Sequence, residues 1–164
     1  GAYRREITIY RTNTFLIEEI EMISFLGNVL IPQSITDKAD TVKLQHYKVN
    51  SPRKFQVHEL DDLGLIQQLA AIIDIPYQNL DFVYFSVCKG AEPHTDALNP
   101  NVFCNDTYVI PVILPQGESI ISANGWRKKV HIGGVYRFNH NETHSMELED
   151  TDSGCVVIMV AVKK

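Results

Sequence analysis

The stretch DFVYFSVCKGAEPHTD, Asp81 to Asp96, is where the chain changes character and where its fold is decided. Residues 82–88 are β-branched or aromatic at almost every position, the composition of a buried strand, and KGAEP behind them is turn chemistry. Working outward, the same pattern recurs downstream. TYVIPVIL at 107–114, SIISA at 119–123, KVHI at 129–132, VYRF at 135–138 and CVVIMVAV at 155–162 are short apolar runs. PQGE, ANGW, GG and DTDSG separate them. Strands this short, divided by Gly, Pro, Asn and Asp, predict an antiparallel series closing into a meander or jelly-roll-like barrel.

Upstream of Asp81 the periodicity differs. Ile7 to Tyr10 alternates weakly and predicts a strand. Thr14 precedes Leu16, Ile17, Ile20, Ile23 and Leu26 at near-helical spacing, with Gly27 as a stop, which predicts a short helix. Leu60, Leu63, Ile66, Leu69, Ala70 and Ile73 recur every three or four positions behind the acidic Glu59, Asp61 and Asp62. That is the strongest helix signal in the chain, since carboxylates favour a helix N-terminus and Pro76 blocks continuation. The expected fold class is therefore mainly β. Residues 1–164 form a single domain, with 1–80 a helical support region packed on one sheet and 81–164 the β core.

The 164 residues, 45% hydrophobic and 21% charged, suit one globular core. A net charge of -5 argues against a broad nucleic-acid footprint, so nucleic acid is not an expected partner. Cys88, Cys104 and Cys155 are an odd set without a CxxC pair, which suits a reducing compartment better than a disulfide framework. No apolar run approaches the roughly 20 residues that cross a bilayer, and the polar start lacks the apolar run of a signal peptide. A cytoplasmic protein with no membrane partner is expected; oligomeric state is not legible.

The residues that carry chemistry are His94-Thr95-Asp96, just after a strand, and the segment FNHNETH at 138–144. In extended backbone, positions i and i+2 share a side, so His94 and Asp96 can point jointly into a barrel. A third ligand must come from elsewhere. Two imidazoles and a carboxylate on one face of an octahedron leave three positions open, which is how non-haem Fe(II) centres hold a co-substrate and dioxygen together.

With these residues the chain resembles the Fe(II) and 2-oxoglutarate dependent dioxygenases, whose double-stranded β-helix, a jelly-roll or cupin-like barrel, carries an HxD motif and a distal His. The matching residues are His94, Asp96 and His144, and the resemblance spans roughly 82–162. It includes the strand FVYFSVC, Gly90, the HTD triplet, IPVILP, the strand from Gly134 to Phe138 and the closing apolar strand. The pattern is closest to the aspartyl/asparaginyl β-hydroxylase-like or prolyl-hydroxylase-like branches. The resemblance implies Fe(II) as metal, 2-oxoglutarate as co-substrate, and hydroxylation of a peptide side chain or small molecule. It also implies that Ser86 helps hold 2-oxoglutarate; Tyr84, on the same strand face, is a second candidate.

The chain departs from the family where an Arg on the last strand pairs with the far carboxylate of 2-oxoglutarate. Here that stretch is Gly154-Cys155-Val156-Val157, and Thr107 to Ile110 after the HxD offers only hydroxyls. A dicarboxylate buried without a cation forfeits charge-assisted hydrogen bonds at a cost of several kcal/mol. Arg137, Arg127 and Lys89 are the nearest bases in sequence, and Arg137 is the one chosen, although alternation sets it opposite Tyr136 and Phe138. His140 competes with His144 as third ligand. An i,i+4 pair binds one metal only on a helix, however, and Asn139-His140-Asn141 reads as a turn, so His144 ranks above it. The same lack of a helix, with the Glu displaced by one position, sets aside a zinc-protease reading of HNETH.

Other residues read more simply. His46, His58 and His131 lack ligand-spaced partners and are expected on the surface or in packing. Cys88 is expected as a structural thiol, Trp126 to Lys129 as a solvated hairpin tip, and the acidic residues from Glu147 to Asp152 as a solvated loop. Two alternatives stay open beside the oxygenase: a cupin-like metal-binding protein, isomerase or sensor, and a catalytically silent β-helix used as a binding module.

Overall fold

A computed structural model describes residues 7–12, 15–20, 23–48, 56–95, 103–139 and 141–163. In chain order the elements are β1 (Ile7–Thr12), β2 (Phe15–Ile20), β3 (Ile23–Asn28), α1 (Gln33–Lys48), β4 (Gln56–Glu59), α2 (Leu63–Ile73) and β5 (Leu80–Cys88). There follow β6 (Ala91–His94), β7 (Phe103–Ile113), β8 (Ser119–Ala123), β9 (Trp126–Lys129), β10 (Gly134–Asn139), β11 (His144–Leu148) and β12 (Cys155–Lys163). A 3-10 turn at Tyr77–Asn79 leads into β5.

From β5 onward successive strands are dealt between two sheets. One six-stranded sheet runs β3-β10-β7-β12-β5-β4, and a four-stranded sheet runs β6-β11-β8-β9. The central order β10-β7-β12-β5 facing β6-β11-β8-β9 is the jelly-roll interleaving of a double-stranded β-helix, and the fold is of that class. Its signature is legible in β12, which pairs with both β5 and β7 although they lie far apart in sequence. Because that strand is sandwiched and buried on both faces, it is apolar at nearly every position rather than alternating.

The core lies in two layers. On the outer face of the large sheet, Val83, Phe85, Val87, Tyr108, Ile110, Val156, Ile158 and Val160 pack under the helices through Ile35, Ala39 and Val42 of α1 and Leu65, Leu69 and Ile73 of α2. Between the sheets lie Ile23, Val109, Ile121, Ala123, Val130, Tyr136, Phe138, Leu148, Cys155 and Val157. Alternate residues of each strand therefore serve different layers, and this decides which side chains reach the barrel interior.

Helix α2 follows its sequence signals. Asp62 caps it, its carboxylate accepting from Leu65 N–H at 2.9 Å, and Asp74 ends it in the left-handed region at φ 56°. The helix expected after Thr14 does not form. Phe15–Ile20 is strand β2, paired with β1, and Ile23–Asn28 is strand β3, paired with β10 at the edge of the large sheet. Three of the five residues that carry the near-helical spacing there, Ile17, Ile20 and Ile23, are β-branched, which a sheet accepts better than a helix does. Helix α1 went unread because its apolar stripe is sparse, with Ile35, Ala39 and Val42 as its buried residues. The strand expected at 129–132 lies three residues earlier. Asn124 and Gly125, at φ 47° and 86°, make the two-residue hairpin turn that starts β9 at Trp126. No helix among the described residues is long and apolar enough to cross a membrane.

Candidate functional site

Registers across the two sheets stack the interior into levels. On the small sheet His144, Ala123 and Trp126 stand side by side, and on the large sheet so do Phe138, Thr107 and Ala161. The rings of Phe138 and His144 join the two rows, with centroids 4.7 Å apart and planes tilted 49°. The next level holds Met146, Ile121 and Lys128 against Tyr84, Met159, Val109 and Tyr136. Beyond it lie Leu148 and Ser119 on one sheet and Ser86 and Val157 on the other.

Among the candidate residues, His144 is the best defined. It is 6% exposed, and its Nδ1 lies 2.8 Å from the Glu142 carbonyl oxygen. A carbonyl only accepts, so Nδ1 carries a proton, and in the neutral ring Nε2 is then the nitrogen with the lone pair, the form in which a histidine ligates a metal. The loop behind His144 is braced. Asn141 N–H donates to Asn139 Oδ1 at 2.9 Å, Glu142 N–H to Asn139 O at 3.1 Å, and Asn124 N–H to Thr143 O at 2.8 Å.

His94 ends β6, and its Cα partner in the ladder is His144. Asp96 and the competing His140 lie outside the described residues. Among the described residues no three His, Cys, Asp or Glu side chains gather as a metal cluster. What is described is a buried imidazole, that of His144, whose residue pairs with a second histidine in one ladder, and nitrogen donors of this kind suit a divalent transition metal.

The fit to a dicarboxylate is different. Tyr84 and Ser86 oppose Met159 and Val157 on β12, two residues of the inter-sheet layer, so their hydroxyls lie on the barrel face; Ser86 is 2% exposed. The same face of β12 carries the apolar run Cys155, Val157, Met159 and Ala161 alongside them. Arg137 is not in this space, which corrects its assignment to the co-substrate. It pairs with Tyr108 on the helix-side face, is 3% exposed, and donates from Nη2 to Ser24 Oγ at 3.0 Å. The reason is the period of two: Tyr136 and Phe138 point into the barrel, so the residue between them cannot. Arg127 is also turned away, exposed and paired with Glu147 at 3.0 Å, and Lys89 sits in the connection between β5 and β6.

The run Trp126 to Lys129 is strand β9 rather than a hairpin tip, and its exposure alternates. Glu147, expected in a loop, lies on β11, where it meets Arg127.

At the far end of the interior His131 meets Tyr136. Its backbone N–H donates to the Tyr136 hydroxyl at 3.0 Å, that hydroxyl lies 3.0 Å from Nδ1, and Nε2 faces Asn28 Oδ1. With Nε2–H donating to an amide oxygen, Nδ1 accepts the phenol proton. His131 is thus a packing residue.

No family model matches the chain, and no curated protein does. Solved structures do. A prolyl-4-hydroxylase of Pseudomonas putida is 15% identical with a TM-score of 0.51, the match covering 87% of this chain and 92% of that one. A prolyl hydroxylase from Trichoplax adhaerens, in complex with a peptide fragment of a hypoxia inducible factor oxygen degradation domain, is 14% identical with a TM-score of 0.54. That match covers 87% of this chain and 83% of the other. At these identities the likeness is one of fold, and it is the double-stranded β-helix described above.

Proposed function

We propose that the chain is a non-haem Fe(II), 2-oxoglutarate-dependent oxygenase that hydroxylates a peptide side chain or small molecule, with the metal held by His94, Asp96 and His144. The observation that carries this reading is the pairing of His94 with His144. Residues directly opposite in an antiparallel ladder have Cβ atoms about 4.5–5.5 Å apart, near enough for two imidazoles to share one ion. Asp96 follows His94 at the spacing that adds a carboxylate on the same side. The shared fold with two prolyl hydroxylases, one of them solved with a peptide, supports the reaction class and the substrate class.

When bound, the ferrous ion and 2-oxoglutarate supply the oxygen chemistry. The chain's own part is positional. His144 presents Nε2 because Glu142 fixes Nδ1. Phe138, Ala123 and Ala161, all buried, keep bulk water from that level. Tyr84 and Ser86 offer hydroxyls below it.

A second reading, a metal-binding barrel of cupin type that takes no 2-oxoglutarate, is favoured by the apolar run Cys155, Val157, Met159 and Ala161 on the inner face of β12. Anaerobic titration with Fe(II) and then 2-oxoglutarate separates the two. The oxygenase reading expects a weak visible charge-transfer band that saturates with the oxo acid. Metal binding without the band supports the cupin reading, and no metal binding leaves a silent module.

A further inference from the structure

The inner face of β12 begins at Cys155, which is 0% exposed and belongs to the inter-sheet layer. Its Cα partner across the ladder to β5 is Cys88. The register is tightly fixed there, running unbroken from Cys155 opposite Cys88 to Ala161 opposite Phe82. Val156 and Ile158, opposite Val87 and Phe85 under the helices, pin it, since a slip of one residue would turn buried side chains to the other face of the sheet.

That register decides what the two cysteines can do. Direct partners in an antiparallel pair project to the same side of the sheet. Their Cα atoms are about 5.5 Å apart where the two residues exchange hydrogen bonds and about 4.5 Å apart where they do not. A disulfide needs Cα atoms roughly 4.4–6.8 Å apart, so either kind of pair can carry one. Cys104 is placed differently. It follows Phe103, the partner of Lys163 at the other end of β12, about 27 Å from Cys155 at the rise of an extended strand. Of the three cysteines, Cys88 and Cys155 are therefore the two positioned to pair within one chain.

We propose that Cys88 and Cys155 are a cross-linking site, joined by a disulfide that ties β5 to β12. The two thiols give up two protons and two electrons, and a low-molecular-weight disulfide such as oxidised glutathione takes both. One cysteine thiolate attacks a glutathione sulfur and expels the other half as a thiolate, leaving a mixed disulfide. The second cysteine thiolate then attacks the protein sulfur of that bond and expels the remaining glutathione. One protein S–S bond forms, one glutathione S–S bond breaks, and two glutathione thiols are released. Because Cys155 is buried, the exchange runs as the chain folds or opens rather than in the closed barrel.

The bond closes a loop that contains β6 to β11, and with them His94 and His144. Closing so long a loop takes freedom chiefly from the unfolded chain, so it stabilises the barrel without a new contact at the candidate site. The inference stands apart from the metal reading.

The test needs neither metal nor turnover. The full chain is equilibrated with glutathione buffers from fully reduced to fully oxidised, in urea below its unfolding midpoint so that it opens transiently. It is then acid-quenched, alkylated and digested for mass spectrometry. The expected oxidised product joins the peptides that carry Cys88 and Cys155 and leaves Cys104 outside the bond. Its thermal midpoint is expected on the order of 10 °C above that of the reduced protein. Cys104→Ser should keep both results and Cys88→Ser should lose both. Cys88→Ala serves if the serine variant does not fold, and the peptide map of wild type decides the cross-link by itself. Cys88 and Cys155 that stay thiols, or that each carry glutathione, in the most oxidising buffer overturn the proposal. A bond that forms but leaves the midpoint unchanged or lower overturns it too, since the pairing would then be forced on a ladder that does not accept it.

Discussion

His144 and His94 are direct partners across the ladder of β11 and β6, and the ring of His144 is held by the Glu142 carbonyl at 2.8 Å and by Phe138 at 4.7 Å. Under the metal reading proposed above, a ligand fixed on two sides loses little freedom when it binds its ion. Its supports should therefore matter almost as much as the ligand itself.

Phe138→Leu keeps an apolar group between the sheets but removes the ring that packs on His144. Mn(II) affinity is expected to fall on the order of tenfold with the fold retained. Calorimetry beside thermal denaturation checks this. Unchanged affinity would show that the ring contact does not position the imidazole.

Arg137 gives a prediction of opposite sense. Because it is buried under the helices and bonded to Ser24, Arg137→Ala is expected to cost about 2–4 kcal/mol of stability. Urea denaturation measures that loss. Mn(II) and 2-oxoglutarate affinities of the folded fraction should stay at wild-type values, since the side chain lies behind the sheet rather than in the barrel.

Tyr136 sets an alkaline limit. Burial raises its phenol above the ordinary 10.0, against a smaller lowering by the His131 N–H. The unfolded chain therefore releases this proton first. The contribution to stability is complete below pH 10 and is lost as pH rises beyond it. Tyr136→Phe should flatten the fall in denaturation midpoint above pH 10, relative to the fall seen in wild type.

How far the sequence carried can be seen in particular residues. The barrel strands were legible because Phe85, Ile110 and Ile158 belong to runs that only a buried sheet explains, and α2 was legible because stripe and cap agree. Strands β6 and β11 were not, being short and holding His94, Pro93, Ser145 and Glu147, which no propensity favours. The stretch from Phe15 to Asn28 misled because Leu16, Ile17, Ile20 and Ile23 satisfy a helical spacing by coincidence, while pairing with β1 and β10 decides the outcome. In the candidate site, the barrel face of Tyr84 and Ser86 was legible by alternation. Alternation also excluded Arg137, which lies between the barrel-facing Tyr136 and Phe138.

The cap of α2 offers a local check. Asp62→Ala removes the acceptor for Leu65 N–H at 2.9 Å and should destabilise the protein by about 1 kcal/mol. Asp62→Asn should recover most of it. Both are read from denaturant midpoints at constant slope.

The most direct measurement of the central claim is Mn(II) binding, followed by electron paramagnetic resonance, in wild type and in His94→Ala, Asp96→Ala, His144→Ala and His140→Ala. One ion per chain is expected in wild type, with high-affinity binding lost in each of the first three variants and kept in the fourth. Tight binding that survives the loss of His94, Asp96 or His144, or that vanishes with His140, would contradict the assignment of the metal to those three residues.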